Sequence, residues 1–309
     1  MLAGANERGE KVAGFDLSSF NRVLEHTAED MTCRVEAGVT LAALQTHLRQ
    51  RGQWLPLDPP GLDRLTIGDL LVDNPSGPRR FGYGTVRDYL IGLTVVLADG
   101  RIIHSGGNVV KNVAGYDLMK LFIGSRGSLG LVVGATFKLR PVAETEAFVQ
   151  AECATLEAAD KLIGAILESE LTPIILDLYN IETSGTAGPD GAVVVLGFAG
   201  TRDEVDWQLS RVRELGFAEP ASLDYDSAIR TGQDLIQQLS VLPSKMVETI
   251  RGLKDARFVA RAGNGIVYYC GGRTAPFAAT LSEGARKLSQ RLKDEFDPKR
   301  ILPDLCPSQ

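Results

Sequence analysis

A glycine-punctuated turn at residues 124–130, with the sequence GSRGSLG, restricts the fold of this chain more than any other segment. It follows a predicted short helix around residues 117–122 and precedes a predicted strand over residues 131–139. Glycines at three-residue spacing let the backbone adopt positive φ and approach a ligand closely. The clustered backbone N–H groups of such a turn favour an anion or the polar edge of a nucleotide. The spacing differs from the G-x-G-x-x-G of a Rossmann unit, and turns of this kind also serve simply to join a helix to a strand.

Composition and charge exclude several classes of protein. The 309 residues are enough for two domains, and 44% hydrophobic with 23% charged residues is ordinary for a globular protein. The net charge of -6 argues against nucleic acid as a partner, because the chain offers no broad basic face to phosphates. No apolar run is long enough to cross a bilayer and no signal-peptide pattern is present, so a cytoplasmic location is expected.

Cysteine and histidine usage argues against a metal centre. Four cysteines lie far apart in the sequence: Cys33, Cys153, Cys270 and Cys306. Without a C-x-x-C pair, neither a zinc ribbon nor an iron–sulfur cluster held by this chain alone is expected, and the thiols are predicted to be reduced. The three histidines are His26, His47 and His104. They all fall in the first half, so no metal site is predicted.

The first half is predicted to combine short strands with one amphipathic helix and one long loop. Thr40 is expected to cap a helix whose apolar face repeats at Leu41, Leu44 and Leu48. Residues 54–87, rich in Pro, Gly and Asp, are predicted to be an irregular stretch with a binding function. Strands are predicted over residues 15–17, 33–36, 93–97 and 101–104.

Four ordered segments carry a resemblance to a known family: residues 35–39 (VEAGV), residues 55–59 with 66–68 (LPLDP and TIG), residues 76–88, and residues 110–130. They resemble the FAD-binding domain of the vanillyl-alcohol oxidase and p-cresol methylhydroxylase family, here called the PCMH type. The resemblance extends to the FAD-binding subunits of bacterial glycolate oxidases within that family. Together these ordered matches are far more specific than the glycine turn alone.

The resemblance implies a non-covalently bound FAD, since no histidine or cysteine matches a flavin attachment site. The loop at residues 59–68 would lie along the pyrophosphate through backbone N–H groups, because buried phosphate oxygens need donors. The segment 74–84 would border the pyrophosphate and isoalloxazine, and the glycine turn would hold the ribose and adenine end. The residues thereby expected to contact FAD are Pro59, Thr66, Ile67, Gly68, Asn74, Ser76, Gly77, Tyr83, Gly84, Gly124, Ser125, Gly127, Ser128, Gly130 and Val132.

The sequence departs from the family pattern at two points. The family places a P-x-G-x-G-[ST]-type phosphate loop ahead of the segment that matches residues 15–17, and this chain begins too late to contain it. The usual T-I-G-G motif reads Thr66-Ile67-Gly68-Asp69 here. A carboxylate aimed at a diphosphate would be repelled, so Asp69 is expected to point outward and cap the following turn.

After Pro141 the pattern changes to strand, helix, strand, strand and helix, which suggests an α+β cap with ferredoxin-like character. Helices are predicted over residues 155–169, from a capping box at residues 201–204, and over residues 276–296. The predicted fold class is therefore α+β. An N-terminally shortened PCMH-type FAD-binding domain would span residues 1–143 and a ferredoxin-like cap residues 144–295. A tail at residues 296–309 would return to the FAD domain.

The resemblance implies an FAD-dependent oxidoreductase subunit that takes part in oxidising a small 2-hydroxy acid such as glycolate. In such chemistry the hydroxyl loses a proton and the adjacent carbon transfers hydride to flavin. The candidates for binding the substrate carboxylate are Arg79, Arg80 and Lys111, and those for acting near the ring are Tyr83 and Tyr116. The cap contains no histidine, so a base and metal ligands expected of a complete hydroxy-acid oxidase are missing.

Two alternatives stay open. The chain could be a non-catalytic partner that keeps the flavoprotein fold and binds FAD weakly or not at all. Its start could also be misread, with the phosphate loop encoded upstream. The resemblance further implies a second flavin subunit and an iron–sulfur subunit as partners, with possible peripheral attachment to the inner membrane through the complex.

Overall fold

The computed structural model of the chain describes residues 2–5, 11–107, 117–181, 191–218, 220–230, 236–272 and 282–304, with only the backbone described over residues 2–5 and 11–14. The predicted loop at residues 108–116, which holds Lys111 and Tyr116, lies outside the described residues, as does Cys306. Within the described ranges, no helix combines the length and the apolar character needed to span a membrane.

The elements follow one another in two groups. Strands of the first group are β1 (Leu2–Ala5), β2 (Lys11–Gly14), β3 (Val23–Thr27), β4 (Thr32–Glu36), β5 (Gln53–Trp54), β6 (Leu90–Val96), β7 (Ile102–Gly106), β8 (Leu131–Lys138) and β9 (Arg140–Pro141). Its helices are α1 (Leu41–Arg49), α2 (Ile67–Asp73), α3 (Arg80–Tyr83), α4 (Val86–Tyr89) and α5 (Met119–Phe122). Strands of the second group are β10 (Thr145–Cys153), β11 (Ile175–Tyr179), β12 (Ala192–Gly200), β13 (Gln237–Ser240), β14 (Arg257–Arg261) and β15 (Ile266–Cys270). Its helices are α6 (Leu156–Leu167), α7 (Arg202–Glu214), α8 (Tyr225–Ala228), α9 (Met246–Leu253) and α10 (Glu283–Phe296).

Five antiparallel strands form the first sheet in the order β3-β4-β8-β6-β7. The apolar faces of α1 and α2 belong to the same core as this sheet, with Leu44, Leu48 and Leu70 fully buried. The side chain of Thr40 accepts a hydrogen bond from Ala43 N at 3.3 Å, so the predicted helix cap is confirmed. Strand β8 lies at the centre of the sheet and pairs with β4 on one side and β6 on the other. The glycine turn therefore leads directly into the central strand.

Residues 15–17 do not form the predicted strand. The chain turns there instead, with Phe20 N donating to Leu17 O and Gly38 N donating to Phe20 O, both at 2.8 Å. A Cβ placed on Gly38 would lie 2.1 Å from Leu17 O, so the two segments touch through bare backbone. This docking depends on a contact between distant residues, which local β propensity does not reveal.

Residues 54–87 contain three short helices, so the prediction of an irregular stretch was wrong in part. Two of them begin at capping boxes that threonine and aspartate form three residues apart. Thr66 and Asp69 start α2, and Thr85 and Asp88 start α4. Each box satisfies backbone N–H groups that a short helix would otherwise leave without an acceptor.

Six antiparallel strands form the second sheet in the order β10-β12-β11-β14-β15-β13. Strands β11, β12 and β15 are buried almost throughout because both faces of the sheet are covered there. Val194 and Leu196 belong to the core shared with α6, α7 and α9, whereas Val193 and Val195 belong to the core that includes α8. The helix predicted over residues 155–169 forms, and the predicted capping box at Thr201 begins α7. The mixture of helices and sheets confirms the α+β fold class. The residue limits of the domains stay a prediction.

Helix α10 packs on the core of the first sheet. Leu292 and Phe296 contact that core, and the Phe296 ring meets Phe122 edge-to-face with centroids 5.7 Å apart. Phe122 closes the short helix immediately before the glycine turn. The last described helix thus lies beside the segment that the sequence singles out.

Candidate nucleotide site and the charge cluster beside it

The glycine turn is anchored to the end of α2. Gly124 N donates to Leu71 O and Arg126 N donates to Val72 O, both at 2.9 Å. Gly124 and Gly127 adopt φ of +74° and +72°, which a β-carbon would disfavour. Within the part of the chain that the structure describes, no atom outside the adjoining residues lies within 4 Å of a Cβ built on Gly127. The backbone conformation therefore favours glycine at this position, and none of the described residues fills the space in front of it.

Two buried polar atoms at the turn lack partners. Ser125 is only 3% exposed, and its Oγ makes no hydrogen bond to any described residue. Asn74 Oδ1 is likewise buried and unpartnered, and a Cβ built on Gly124 would lie 3.8 Å from the Asn74 Cβ. Buried polar groups are nearly always hydrogen-bonded in native proteins, so such orphans point to a missing polar ligand. The residues present therefore fit the polar part of a nucleotide cofactor.

Two other glycines expected to contact FAD are explained by packing within the chain. A Cβ on Gly77 would lie 2.0 Å from Asp58 O, and one on Gly130 would lie 2.6 Å from Val95 Cγ1. Gly84 has φ of +87° and faces the Asp88 carboxylate. Their direct contact with a cofactor stays a prediction.

The first backbone N–H groups of α2 already donate hydrogen bonds within the chain. Ile67 N donates to Val39 O and Gly68 N donates to Ala37 O, both at 2.8 Å. Asp69 is exposed, and its Oδ2 accepts from Thr66 N at 3.1 Å and from Thr66 Oγ1 at 2.6 Å. The prediction that Asp69 points outward and caps the turn is confirmed. The Ile67 and Gly68 amides, expected to hold the pyrophosphate, already have acceptors in the chain.

The remaining predicted FAD contacts are buried. Pro59 is buried in the loop that precedes α2, and Val132 lies in the first core at 2% exposure. Ser128 is fully buried, and its N–H and hydroxyl both donate to Ser125 O, at 3.0 and 2.5 Å. Ser76 is buried and accepts from Arg80 Nη1 at 2.6 Å. A contact from Val132 would therefore have to use its backbone.

Among the catalytic candidates, Arg79 is held between two carboxylates. Its Nη1 donates to Asp58 Oδ2 at 3.2 Å, and its Nη2 donates to Glu146 Oε2 at 2.7 Å. Burial opposes its charge, yet the two carboxylates raise the pKa of Arg79 above its ordinary value. Arg79 thereby links the loop before α2 to strand β10, and its charge is already neutralised.

Tyr83 and Arg80 have different surroundings. The Tyr83 ring meets Trp54 edge-to-face at 5.2 Å and lies under the Arg140 guanidinium at 5.6 Å. It lines a surface cavity of about 410 Å³ beneath α6, and burial raises the pKa of its hydroxyl. Arg80 forms no ion pair with a carboxylate within the described part of the chain. Of the two candidate cations that the structure describes, Arg80 is thus the one without a carboxylate partner.

A buried charge cluster in the cap sheet escaped the sequence analysis. Arg261, 1% exposed, donates through Nη1 to Asp177 Oδ2 at 2.5 Å and through Nη2 to Asp226 Oδ1. Tyr225 Oη also donates to Asp177 Oδ2, at 2.8 Å. Arg261 Nη2 further reaches Ser76 O at 3.5 Å. The segment 74–80 therefore runs from the glycine turn to the charged centre of the cap. The available signal was Asp177 in the middle of the otherwise uncharged strand β11.

Burial dominates the electrostatics of this cluster. It raises the pKa of Asp177 to about 6, even though the Arg261 guanidinium favours the ionised form. Burial would lower the pKa of Arg261, but Asp177 and Asp226 together hold it above its ordinary value. The Tyr268 ring lies under both Arg261 and Arg230, at 5.6 and 5.4 Å. Burial also raises the pKa of Tyr268, although the nearby guanidinium groups oppose that change.

The three described cysteines, Cys33, Cys153 and Cys270, are buried free thiols. Burial raises the pKa of Cys33 to about 12, so this thiol stays protonated at neutral pH. Within the residues that the structure describes, no group of three or more His, Cys, Asp or Glu side chains is placed to hold a metal ion.

Comparison with known proteins shows what the first part of the chain resembles. A family described as an FAD binding domain matches residues 3–106. Glycolate oxidase subunit GlcD of Bacillus subtilis is 39% identical over 163 residues, which cover 53% of this chain and 35% of that protein. Glycolate oxidase subunit GlcE of Escherichia coli is 29% identical over 180 residues, covering 56% of this chain and 50% of that protein. The matches thus span about a third to a half of these relatives.

The fold of the whole chain is also found among solved structures. An alkyldihydroxyacetonephosphate synthase superimposes with a TM-score of 0.69 at 18% identity, over 92% of this chain and 65% of that one. A probable mitochondrial D-lactate dehydrogenase of Danio rerio is 40% identical over 142 residues, 45% of this chain and 28% of that protein. Residues 3–106 of this chain therefore match an FAD binding domain, and the chain shares its fold with an alkyldihydroxyacetonephosphate synthase.

Proposed function

We propose that this chain binds FAD non-covalently and serves as one subunit of an oxidoreductase that oxidises a small 2-hydroxy acid. The observation that carries the proposal is the pair of buried atoms without partners in the described chain, Ser125 Oγ and Asn74 Oδ1, beside a left-handed turn that follows the residues matched to an FAD binding domain. FAD, when bound, supplies the two-electron oxidation. The protein supplies polar partners for the nucleotide and a cation for the substrate.

Arg80 is the residue we assign to the substrate carboxylate. A guanidinium suits a carboxylate because it donates two parallel hydrogen bonds in a fixed plane. Arg79 and Arg261 have the same chemistry, but each already faces two carboxylates. Arg80 is oriented by its hydrogen bond to Ser76 Oγ, which lies on the segment between the glycine turn and the cap. Lys111 and Tyr116, the candidates outside the described residues, keep their predicted roles.

A complex is proposed because two of the relatives are named as glycolate oxidase subunits. A second flavin subunit and an iron–sulfur subunit would accept the electrons, with attachment to the inner membrane through those partners. The cap has no histidine to act as a base or a metal ligand, so its own site is incomplete for hydroxy-acid oxidation. The isolated chain should therefore be nearly inactive toward glycolate or lactate with a dye acceptor, and co-expression with the neighbouring gene products should restore activity.

The second candidate function is a non-catalytic partner that has lost FAD. The observation that favours it is that the Ile67 and Gly68 amides, expected at the pyrophosphate, donate to Val39 and Ala37 instead. Purified protein separates the two functions directly. Under the first, it carries or takes up flavin that acid precipitation releases. Protein that stays colourless after incubation with FAD would support the second.

A single hydroxyl tests the placement of the site. Ser125→Ala removes an atom that has no partner in the described chain, so the free energy of unfolding without FAD should not fall. FAD affinity should fall about 5- to 30-fold, the effect of about 1–2 kcal/mol for one lost hydrogen bond. Ser244→Ala, at an exposed serine of the cap whose hydroxyl makes no hydrogen bond within the described chain, is the matched control and should change neither quantity. Unchanged FAD affinity in Ser125→Ala would remove the turn from the nucleotide site.

A further inference from the structure

A buried lysine of α10 reaches the glycine turn. Lys293 is 2% exposed, and its Nζ donates to Ser128 O at 2.9 Å and to Asp297 Oδ2 at 2.7 Å. The same ammonium contacts two carbonyl oxygens of the following segment, Leu302 O at 3.1 Å and Pro303 O at 2.8 Å. An ammonium has three protons, so these four acceptors use its full donor capacity. We call this arrangement the lysine clasp.

The carboxylate of the clasp is equally saturated. Asp297 is fully buried, and it accepts from Ile301 N at 3.0 Å and Leu302 N at 2.9 Å in addition to Lys293. Burial alone would raise the pKa of Asp297, but these hydrogen bonds hold it below its ordinary value. Both charges are therefore fixed in one geometry, since an ion removed from water is tolerated only when it is paired and hydrogen-bonded.

The clasp acts on the turn through one carbonyl group. Ser128 O accepts from Lys293, while Ser128 N and Oγ both donate to Ser125 O. Ser125 is the residue whose orphaned Oγ marks the nucleotide site. The opposite side of the turn is held by α2, through Leu71 O and Val72 O. Hydrogen bonds thus hold the glycine turn on two sides, and Lys293 provides the one from α10.

We propose that Lys293 is a positioning residue of the cofactor site, and that closure of the lysine clasp and binding of FAD stabilise each other. The proposal rests on the proposed function, because it takes the glycine turn as the FAD site. A binding constellation must be held to about 0.5 Å by its supporting residues, and Lys293 provides that support from 165 residues away in sequence. Coupling of this kind is reciprocal: what the clasp adds to FAD affinity, FAD adds to the stability of the clasp.

The test compares Lys293→Met with Lys287→Met. Methionine matches the length of lysine without its charge, and Lys287 lies on the same helix but is exposed and paired only with Glu283. FAD affinity is measured on the folded proteins by flavin fluorescence, and hydrogen exchange is followed at residues 124–130 with and without FAD. Lys293→Met should weaken FAD binding about tenfold or more and speed exchange in the turn. Lys287→Met should stay within about twofold of the unmodified chain.

Asp297→Asn provides the second variant if Lys293→Met does not fold. It keeps the shape of the carboxylate and should weaken FAD binding in the same direction by a smaller factor. Lower stability with unchanged FAD affinity and unchanged exchange in the turn would show a purely structural lysine and overturn the proposal. If the unmodified chain binds no FAD, the proposed function fails instead. Exchange at residues 124–130 without FAD then still decides whether Lys293 holds the turn.

Discussion

Replacing Arg261 by methionine should destabilise the chain by about 3–4 kcal/mol at pH 7, because two buried carboxylates lose their shared counter-charge. Asp177 and Arg261 face each other across β11 and β14, and Asp226 approaches from α8. Asp177 has a pKa of about 6 in the intact cluster. At pH 7 the ionised form of Asp177 in the folded chain is therefore favoured over the protonated form by about 1.4 kcal/mol. The variant loses this term if it keeps Asp177 protonated. The charged hydrogen bond to Asp226 contributes about 1.5–3 kcal/mol more.

The Asp177 contribution depends on pH with a defined sign. Above pH 6 the intact chain releases the Asp177 proton, whereas the folded variant retains it. The folded variant then binds one more proton, so its free energy of unfolding falls relative to the intact chain as pH rises. The difference should grow by about 1.4 kcal/mol per pH unit between pH 6 and 8 and stay constant below pH 5.

Urea unfolding followed by far-UV circular dichroism at pH 5, 6, 7 and 8 measures this difference. Arg257→Met, at the exposed start of the same strand, is the matched control and should change stability by less than about 0.5 kcal/mol. Adding Asp177→Asn to Arg261→Met should abolish the dependence on pH and recover part of the loss. A deficit below about 1 kcal/mol at pH 7, or one that does not grow toward pH 8, would refute this account of the cluster.

Three further outcomes are expected. Gly127→Val should abolish FAD binding, because the side chain strains a φ of +72° and enters the open space before the turn; folded variant protein that carries flavin would contradict this. Asp69→Ala should lower the free energy of unfolding by about 1 kcal/mol and leave FAD affinity unchanged, since the carboxylate caps α2; tighter FAD binding would instead mean that Asp69 repels the phosphates. Thr201→Ala should also lower stability by about 1 kcal/mol, measured by urea unfolding, and an unchanged value would mean that the capping box of α7 contributes nothing.

Features that depend on neighbours in sequence were predictable. The predicted threonine caps at Thr40 and Thr201 both form, because a cap needs only residues two or three positions away. Asp69 was assigned its outward capping role for the same reason. The apolar strands of both sheets followed from their composition, and ordered family segments predicted the FAD-binding domain.

Features that depend on distant contacts were not predictable. Arg261 and Lys293 read as ordinary surface charges, since their partners Asp177 and Ser128 lie 84 and 165 residues away. The strand predicted over residues 15–17 does not form, because the chain turns there and packs against the backbone of Gly38. The roles of the glycines also depend on distant contacts. Only the structure shows that Gly77 and Gly130 pack closely against other residues, whereas no described residue lies close to a Cβ built on Gly127.

The lysine clasp also orders events during biosynthesis. Ser128 leaves the ribosome 165 residues before Lys293. At roughly 5–20 residues per second, that interval lasts from about 8 to about 33 seconds. During that interval the first sheet can assemble around β8, but the glycine turn is held only by its hydrogen bonds to α2. The whole cap must be translated before the turn is gripped from both sides. Tight capture of cofactor therefore requires α10 to have been synthesised, and nascent fragments that end before Lys293 should be flavin-free.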